Sequence, residues 1–177
     1  MVGEALQDVL AGFVKKVRIG ADRRGLDIKW SPVKNLHITL KFLGDTSEEL
    51  IPSLVEKARD QIAKHKSFEL ELKDVGAFPS LEEGRVLWLG VQRKNALVEL
   101  ADSLGAELDR FVPHVTIGRM RSPHHVKDLL SPLARKSLGK VLISEVVLFE
   151  SQIHGYFPVY TPLVRLALAS DKTSLDA

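Results

Sequence analysis

Two short stretches of this chain place a threonine two positions after a histidine: "NLHITLKFLG" at residues 35–44 and "RFVPHVTIGRM" at residues 110–120. In an extended chain the side chains at i and i+2 share a face. His37 and Thr39 therefore point one way while Leu36, Ile38 and Leu40 point the other. His114 and Thr116 are set apart from Val115 and Ile117 in the same manner. The chain holds six His and five Thr in 177 residues, for which random placement gives about 0.2 such triplets, so two inside strand-like runs form a pattern.

Imidazoles titrate near neutrality, so a pair of them can act as general base and general acid. Phosphodiester cleavage needs that combination. One group deprotonates the nucleophile and the other protonates the leaving oxygen on the far side of phosphorus. Each threonine, one pleat along from its histidine, can donate a hydroxyl hydrogen bond to a non-bridging phosphate oxygen. A nearby cation would add electrostatic stabilisation, and Lys41 follows Thr39 on the same face.

Three other readings use the same residues. A metal site would recruit carboxylates beside His37 and His114, but no Asp or Glu lies at strand spacing from either, and Thr is a poor ligand. The adjacent His124 and His125 read more simply as a solvated pair at a helix start. Nucleophilic catalysis lacks a cysteine and a nucleophile-elbow serine. A non-catalytic phosphate-binding module would present the same pocket as an enzyme, and only turnover separates the two.

The elements that must position these residues follow from periodicity. Ala5, Leu6, Val9, Leu10, Phe13, Val14 and Val17 mark a first amphipathic helix. "GLDIKW" reads as a short strand before Pro32, followed by the His37 strand. A second helix starts near Thr46, with Glu49 three residues on as a capping box, and buries Leu50, Leu54, Ala58 and Ile62. "FELELKDV" alternates as a strand with one wet face, and "RVLWLGV" is a near-continuous apolar strand. "GAFPSLEEG" between them holds turn residues and reads as a loop.

"NALVELADSLGAELDR" predicts a third helix leading into the His114 strand. "SPHHVKDLLSPLARKS" begins like a helix capped by Ser122 with Pro123 at its first position, and Pro132 divides it. "KVLISEVVLFES" and "VYTPLVRLALA" are the last strands. Helix and strand alternate on both sides of the middle, and each half contributes one His-x-Thr strand. The expected class is α+β, bilobed, with two similar lobes of antiparallel sheet and flanking helices around a central cleft. Residues 1–170 form one domain in this reading, and residues 171–177 a frayed tail.

Composition bounds the rest. At 45% hydrophobic and 27% charged residues, the chain suits one globular domain with a real core. A net charge of +2 is too small to imply a general polyanion binder but permits a local basic patch. Absence of cysteine excludes disulfide scaffolds and thiol chemistry. No apolar run approaches the ~20 residues of a membrane span, and the amphipathic, acid-bearing start is neither signal nor transit peptide. A cytoplasmic monomer is the expectation.

With both motifs in hand, the chain resembles the LigT-like 2′-5′ RNA ligase / RNA 2′,3′-cyclic phosphodiesterase family, within the two-histidine phosphoesterases. "HITLKFLG" and "PHVTIGR" are similar to its two signatures, and "RVLWLGV" to its central strand. "ES" at 150–151 with "VYTPL" at 159–163 resembles its C-terminal Ser…Tyr element. The similarity covers roughly residues 28–168.

The resemblance implies metal-independent, cofactor-free hydrolysis of a 2′,3′-cyclic phosphate to a 2′-phosphate end, with reversible 2′-5′ ligation as a further capacity. It would make His37 the donor to the leaving 3′ oxygen and His114 the base that activates water, with Thr39 and Thr116 on phosphate oxygens. The residues alone do not divide those roles. Arg119 fits the Arg that follows the family's second motif. Simple alternation puts it on the face opposite His114, so a bulge or the strand's end must redirect it. His154 is a further candidate substrate contact, while Ser151 and Tyr160 read as structural. The partner would be RNA or a nucleotide bearing a cyclic phosphate end, and Lys34, Lys41, Arg119 and Arg121 could track several phosphates of an RNA. Two features depart from the family. This chain begins on a helix instead of an apolar strand, which predicts an extra exposed sheet edge, and the connection into "FVPHVTIG" is short.

Overall fold

The computed structural model describes residues 4–154 and 157–170. Its largest element is a five-stranded antiparallel sheet in the order β1 (Lys29–Trp30), β4 (His114–His124), β3 (Gly84–Gln92), β2 (Phe68–Phe78), β5 (Ser137–Ile143). A second antiparallel sheet is the ribbon of β6 (Glu145–His154) and β7 (Phe157–Ala167). The α+β class with antiparallel sheets is as expected from the sequence, and the two sheets are unequal in size.

The five-stranded sheet is amphipathic, and this decides where chemistry can sit. One face carries Leu70, Leu72, Leu87, Leu89, Val115, Ile117 and Met120, all buried in the main core. Helix α1 (Glu4–Asp22) lays Leu10, Phe13, Val14, Val17 and Ala21 against it, the 3.6-residue stripe that the sequence shows. Leu70, Leu87, Leu89 and Ile117 are fully buried, each worth about 1.5–3 kcal/mol of transfer free energy. The opposite face keeps His114, Thr116, Trp88 and Val86 only half-buried. A smaller core of Ile62, Leu100, Leu166 and Leu168 joins α2 (Ile51–Ile62) and α3 (Asn95–Ser103) to the ribbon.

Several local readings are corrected. The His37 segment is extended but not a regular strand: among the described residues its pairing is one antiparallel bridge, Ile38 with Val115. The capping box at Thr46 does not form. Its hydroxyl donates to the Gly44 carbonyl at 3.1 Å, and a 3₁₀ turn at Glu48–Leu50 precedes α2. Leu50, expected in the buried stripe, is exposed. "GAFPSLEEG" is only partly a loop, because Gly76, Ala77 and Phe78 continue β2 in register with β3. Gly76 is required there because the Trp88 indole occupies the space of a Cβ.

Ser122 and Pro123 do not start a helix, because β4 runs on to His124, which pairs with Gly84. Helix α4 is the short Lys127–Leu130, followed by a 3₁₀ turn at Ser131–Leu133, so Pro132 divides the run as expected. "KVLISEVVLFES" breaks at Ser144 into β5 and β6, which lie in different sheets. Helix α3 ends at Ser103, where Gly105 takes a φ of +71° that few other residues adopt. Among the described residues, no helix is long and apolar enough to cross a membrane.

Candidate active site

The Ile38–Val115 bridge brings the two motifs together. In an antiparallel pair the flanking residues also oppose one another, so His37 lies across from Thr116 and Thr39 across from His114. Ile38 and Val115 pack toward the main core, which leaves the four polar side chains on the open face. The result is a two-by-two block, with histidines on one diagonal and threonines on the other.

Each imidazole is anchored in the same way. His37 Nδ1 lies 2.8 Å from the Asn35 carbonyl, and His114 Nδ1 lies 2.7 Å from the Val112 carbonyl, each two residues back. A carbonyl can only accept, so Nδ1 carries the hydrogen and donates it. That fixes Nε2 as the nitrogen that gains or loses a proton in both rings.

Aromatic walls hold the rings in place. His114 meets Phe78 edge-on at 4.9 Å between centroids, and Phe78 leans on Trp88 at 5.4 Å. His37 meets Tyr160 edge-on at 4.6 Å and Phe149 at 5.6 Å. The ribbon thus supplies the wall for one histidine, and the large sheet supplies it for the other. Ser151 and Tyr160 pair directly across β6 and β7, so the Ser…Tyr element is a cross-strand pair whose tyrosine ring seats His37. Phe78, Phe149 and the contact of Tyr160 with His37 were not legible from spacing. The residues lie far from the motifs in sequence, and only the fold brings them near.

Arg119 reaches the same face through a bulge. Thr116 pairs with Trp88 and Gly118 with Leu87, so Ile117 is an extra residue on β4. Both Ile117 and Gly118 are buried, and the alternation then resumes out of phase, with Met120 buried and Arg119 half-buried. Gly118 permits this because a Cβ would lie 2.7 Å from Ile28 Cγ2 and 3.2 Å from the Trp30 ring.

The His114 imidazole is held below its ordinary value of 6.5, chiefly by burial; the Val112 carbonyl opposes this, and the positive charges of Arg119 and His37 lower it further. It is therefore neutral near pH 7, with an Nε2 lone pair ready to accept a proton.

The remaining candidates fall elsewhere. The Lys41 ammonium donates to the Leu104 carbonyl at 2.9 Å, which ties the His37 segment to the end of α3. His154 ends β6, paired with Phe157, and its side chain lies outside those described, as does that of Lys34. His124 is 3.1 Å from the Ser122 hydroxyl on the exposed end of β4. Among the described residues, no three His, Asp or Glu side chains come together as a metal-ligand group.

An antiparallel α+β frame with a His-x-Thr pair joined at one bridge defines a class, the two-histidine phosphoesterases. The chain belongs to the 2′-5′ RNA ligase superfamily, whose model matches residues 6–154. It is 29% identical to the RNA 2′,3′-cyclic phosphodiesterase of Methanothermobacter thermautotrophicus over 89% of this chain and 92% of that protein. It is 32% identical to the protein of the same name from Aquifex aeolicus, over 75% and 78%. Among solved structures it is similar to TT0787 of Thermus thermophilus, with a TM-score of 0.74 at 25% identity over 96% of this chain and 95% of that one. It is also similar to E. coli LigT complexed with ATP, at 0.68 and 27% over 95% and 93%.

Proposed function

We propose that this chain is an RNA 2′,3′-cyclic phosphodiesterase that opens a terminal cyclic phosphate to a 2′-phosphomonoester. The observation that supports the reading is the diagonal quartet, in which each Nδ1 lies on a backbone carbonyl and each Nε2 is left for proton transfer. The cyclic phosphate sits over the block, with non-bridging oxygens on the Thr39 and Thr116 hydroxyls and Arg119 beside the second motif. Neutral His114 takes a proton from water at Nε2, the oxygen attacks phosphorus, and the P–O3′ bond breaks opposite it. Protonated His37 delivers its Nε2 proton to the departing 3′ oxygen. Atoms balance: water is added, and both histidines exchange charge states.

The depressed affinity of His114 for protons favours it as the base in this direction, in agreement with the roles that the family resemblance implies. A 5′-hydroxyl in place of water would give a 2′-5′ phosphodiester with the same two proton transfers. The relatives named RNA 2′,3′-cyclic phosphodiesterase support the substrate. The test is product analysis by phosphorus NMR on an RNA with a cyclic phosphate end. The expected product is the 2′-phosphate alone, formed equally in excess EDTA. A 3′-phosphate product, or turnover lost to EDTA and restored by a divalent ion, would overturn this mechanism. Binding without turnover over hours would leave a nucleotide-binding module.

A further inference from the structure

Beside the quartet lies a cleft of about 480 Å³ lined by Phe78, Pro79, Arg85, Val86, Arg119 and Met120. The hydrolytic steps use neither its volume nor Arg85. It is continuous with the site, since Phe78 is the ring against which His114 stands, and Arg119 borders both. Val86 and Arg119 pair across β3 and β4, which sets the arginine over the apolar floor.

Its charge is one-sided. Two guanidinium groups line it and no carboxylate does; Glu82, in the adjoining loop, faces Lys127 at 3.9 Å. Arg85 is exposed, and one of its nitrogens, Nη2, is held on the Arg121 carbonyl at 3.1 Å. That bond steadies the group while leaving other N–H donors of the fork available. Two arginines with planar forks are suited to a phosphate, and the Phe78 and Val86 side chains are suited to the sugar or base attached to it. Thr116 pairs with Trp88 and Arg119 with Val86, two residues apart on β3, or about 7 Å, a span that one nucleotide covers.

We propose that this cleft is a second anion subsite, which binds the 5′-phosphate of the nucleotide carrying the cyclic end. The inference rests on the cyclic phosphodiesterase reading and names the substrate class: polynucleotide ends and 5′-phosphorylated nucleotides, ahead of nucleoside cyclic phosphates with a 5′-hydroxyl. The same reacting ring enters the quartet in every case, and the 5′-phosphate makes the difference.

The experiment compares kcat/KM for adenosine 2′,3′-cyclic phosphate with and without a 5′-phosphate. In the wild type at low salt, the 5′-phosphate is expected to raise kcat/KM about 10-fold, as a charge-assisted contact does, and the gain should shrink as salt rises. Arg85→Gln should bring the ratio close to one, and Arg85→Lys should retain part of it. A wild-type ratio near one, or an unchanged ratio in Arg85→Gln, overturns the subsite. If neither compound is turned over, the cyclic phosphodiesterase reading falls, and binding then decides the cleft separately. Tighter binding of 5′-AMP than of adenosine, lost in Arg85→Gln, would sustain it, whereas equal binding would overturn it.

Discussion

Ile38 and Val115 pair across a single isolated antiparallel bridge, and that contact aligns the two motifs. Because pairing register and pleat are coupled, a slip of one residue would put His37 and Thr39 out of step with His114 and Thr116. The bridge is short, so its hold depends on the packing of both residues against the main core. Lys41, clamped on Leu104, adds a second tie for the same segment.

Removing the acid–base pair should be far more costly than removing the threonines. His37→Ala and His114→Ala are each expected to lower turnover of a cyclic-phosphate RNA end by about 10²–10⁴-fold. Thr39→Ala and Thr116→Ala should cost about 10–10²-fold, the worth of one hydrogen bond to a charged oxygen. Steady-state kinetics of the four variants checks this ordering. Histidine variants that retain wild-type rates would sink the mechanism.

The quartet was legible because period-two spacing survives in any extended chain, whether or not it becomes a regular strand. The placement of Arg119 was legible only as a condition: alternation set it on the wrong face, and the extra residue at Ile117 puts it right. Phe78 was hidden by its neighbour Pro79, since turn residues masked a strand that cross-strand pairing extends. Ser122 and Pro123 likewise imitated a helix start, and pairing of β4 with β3 overrode that local preference. Phe149 and Tyr160 reach His37 from more than 100 positions away, a contact that no local pattern encodes.

The bulge offers a structural test. Gly118→Val would force a side chain against Ile28 and Trp30, with overpacking of about 1–3 kcal/mol. For a chain of this size that corresponds to a Tm lower by about 2–12 °C, measurable by calorimetry. Turnover should fall further than stability explains, because Arg119 loses its place on the catalytic face. Unchanged Tm and unchanged rate would remove the account of Gly118.

Tyr160 is assigned a wall, and its ring should matter more than its hydroxyl. Tyr160→Ala removes the edge-on contact with His37, worth about 0.5–1.5 kcal/mol, and is expected to lower kcat/KM about 2–12-fold. Tyr160→Phe keeps the ring and should stay close to wild type. Equal losses in the two variants would assign the effect to the hydroxyl and sink the wall.

The pH profile tests the division of roles. His114 must be neutral to act as base, so activity rises with pH through its pKa, and that limb should lie below 6.5. The reaction also needs a protonated acid on the leaving-oxygen side, so kcat/KM is expected to be bell-shaped. Burial sets most of the depression at His114, and the Arg119 charge adds to it. Arg119→Met removes that charge, which makes the imidazolium easier to form and moves the acid limb upward toward 6.5. The rate at the optimum should also fall, because a cation beside the phosphate is gone. Arg119→Lys keeps the charge and should leave the limb close to its wild-type position even if the rate drops. A wild-type acid limb at or above 6.5 would mean that His114 does not govern it, and would sink its assignment as the base.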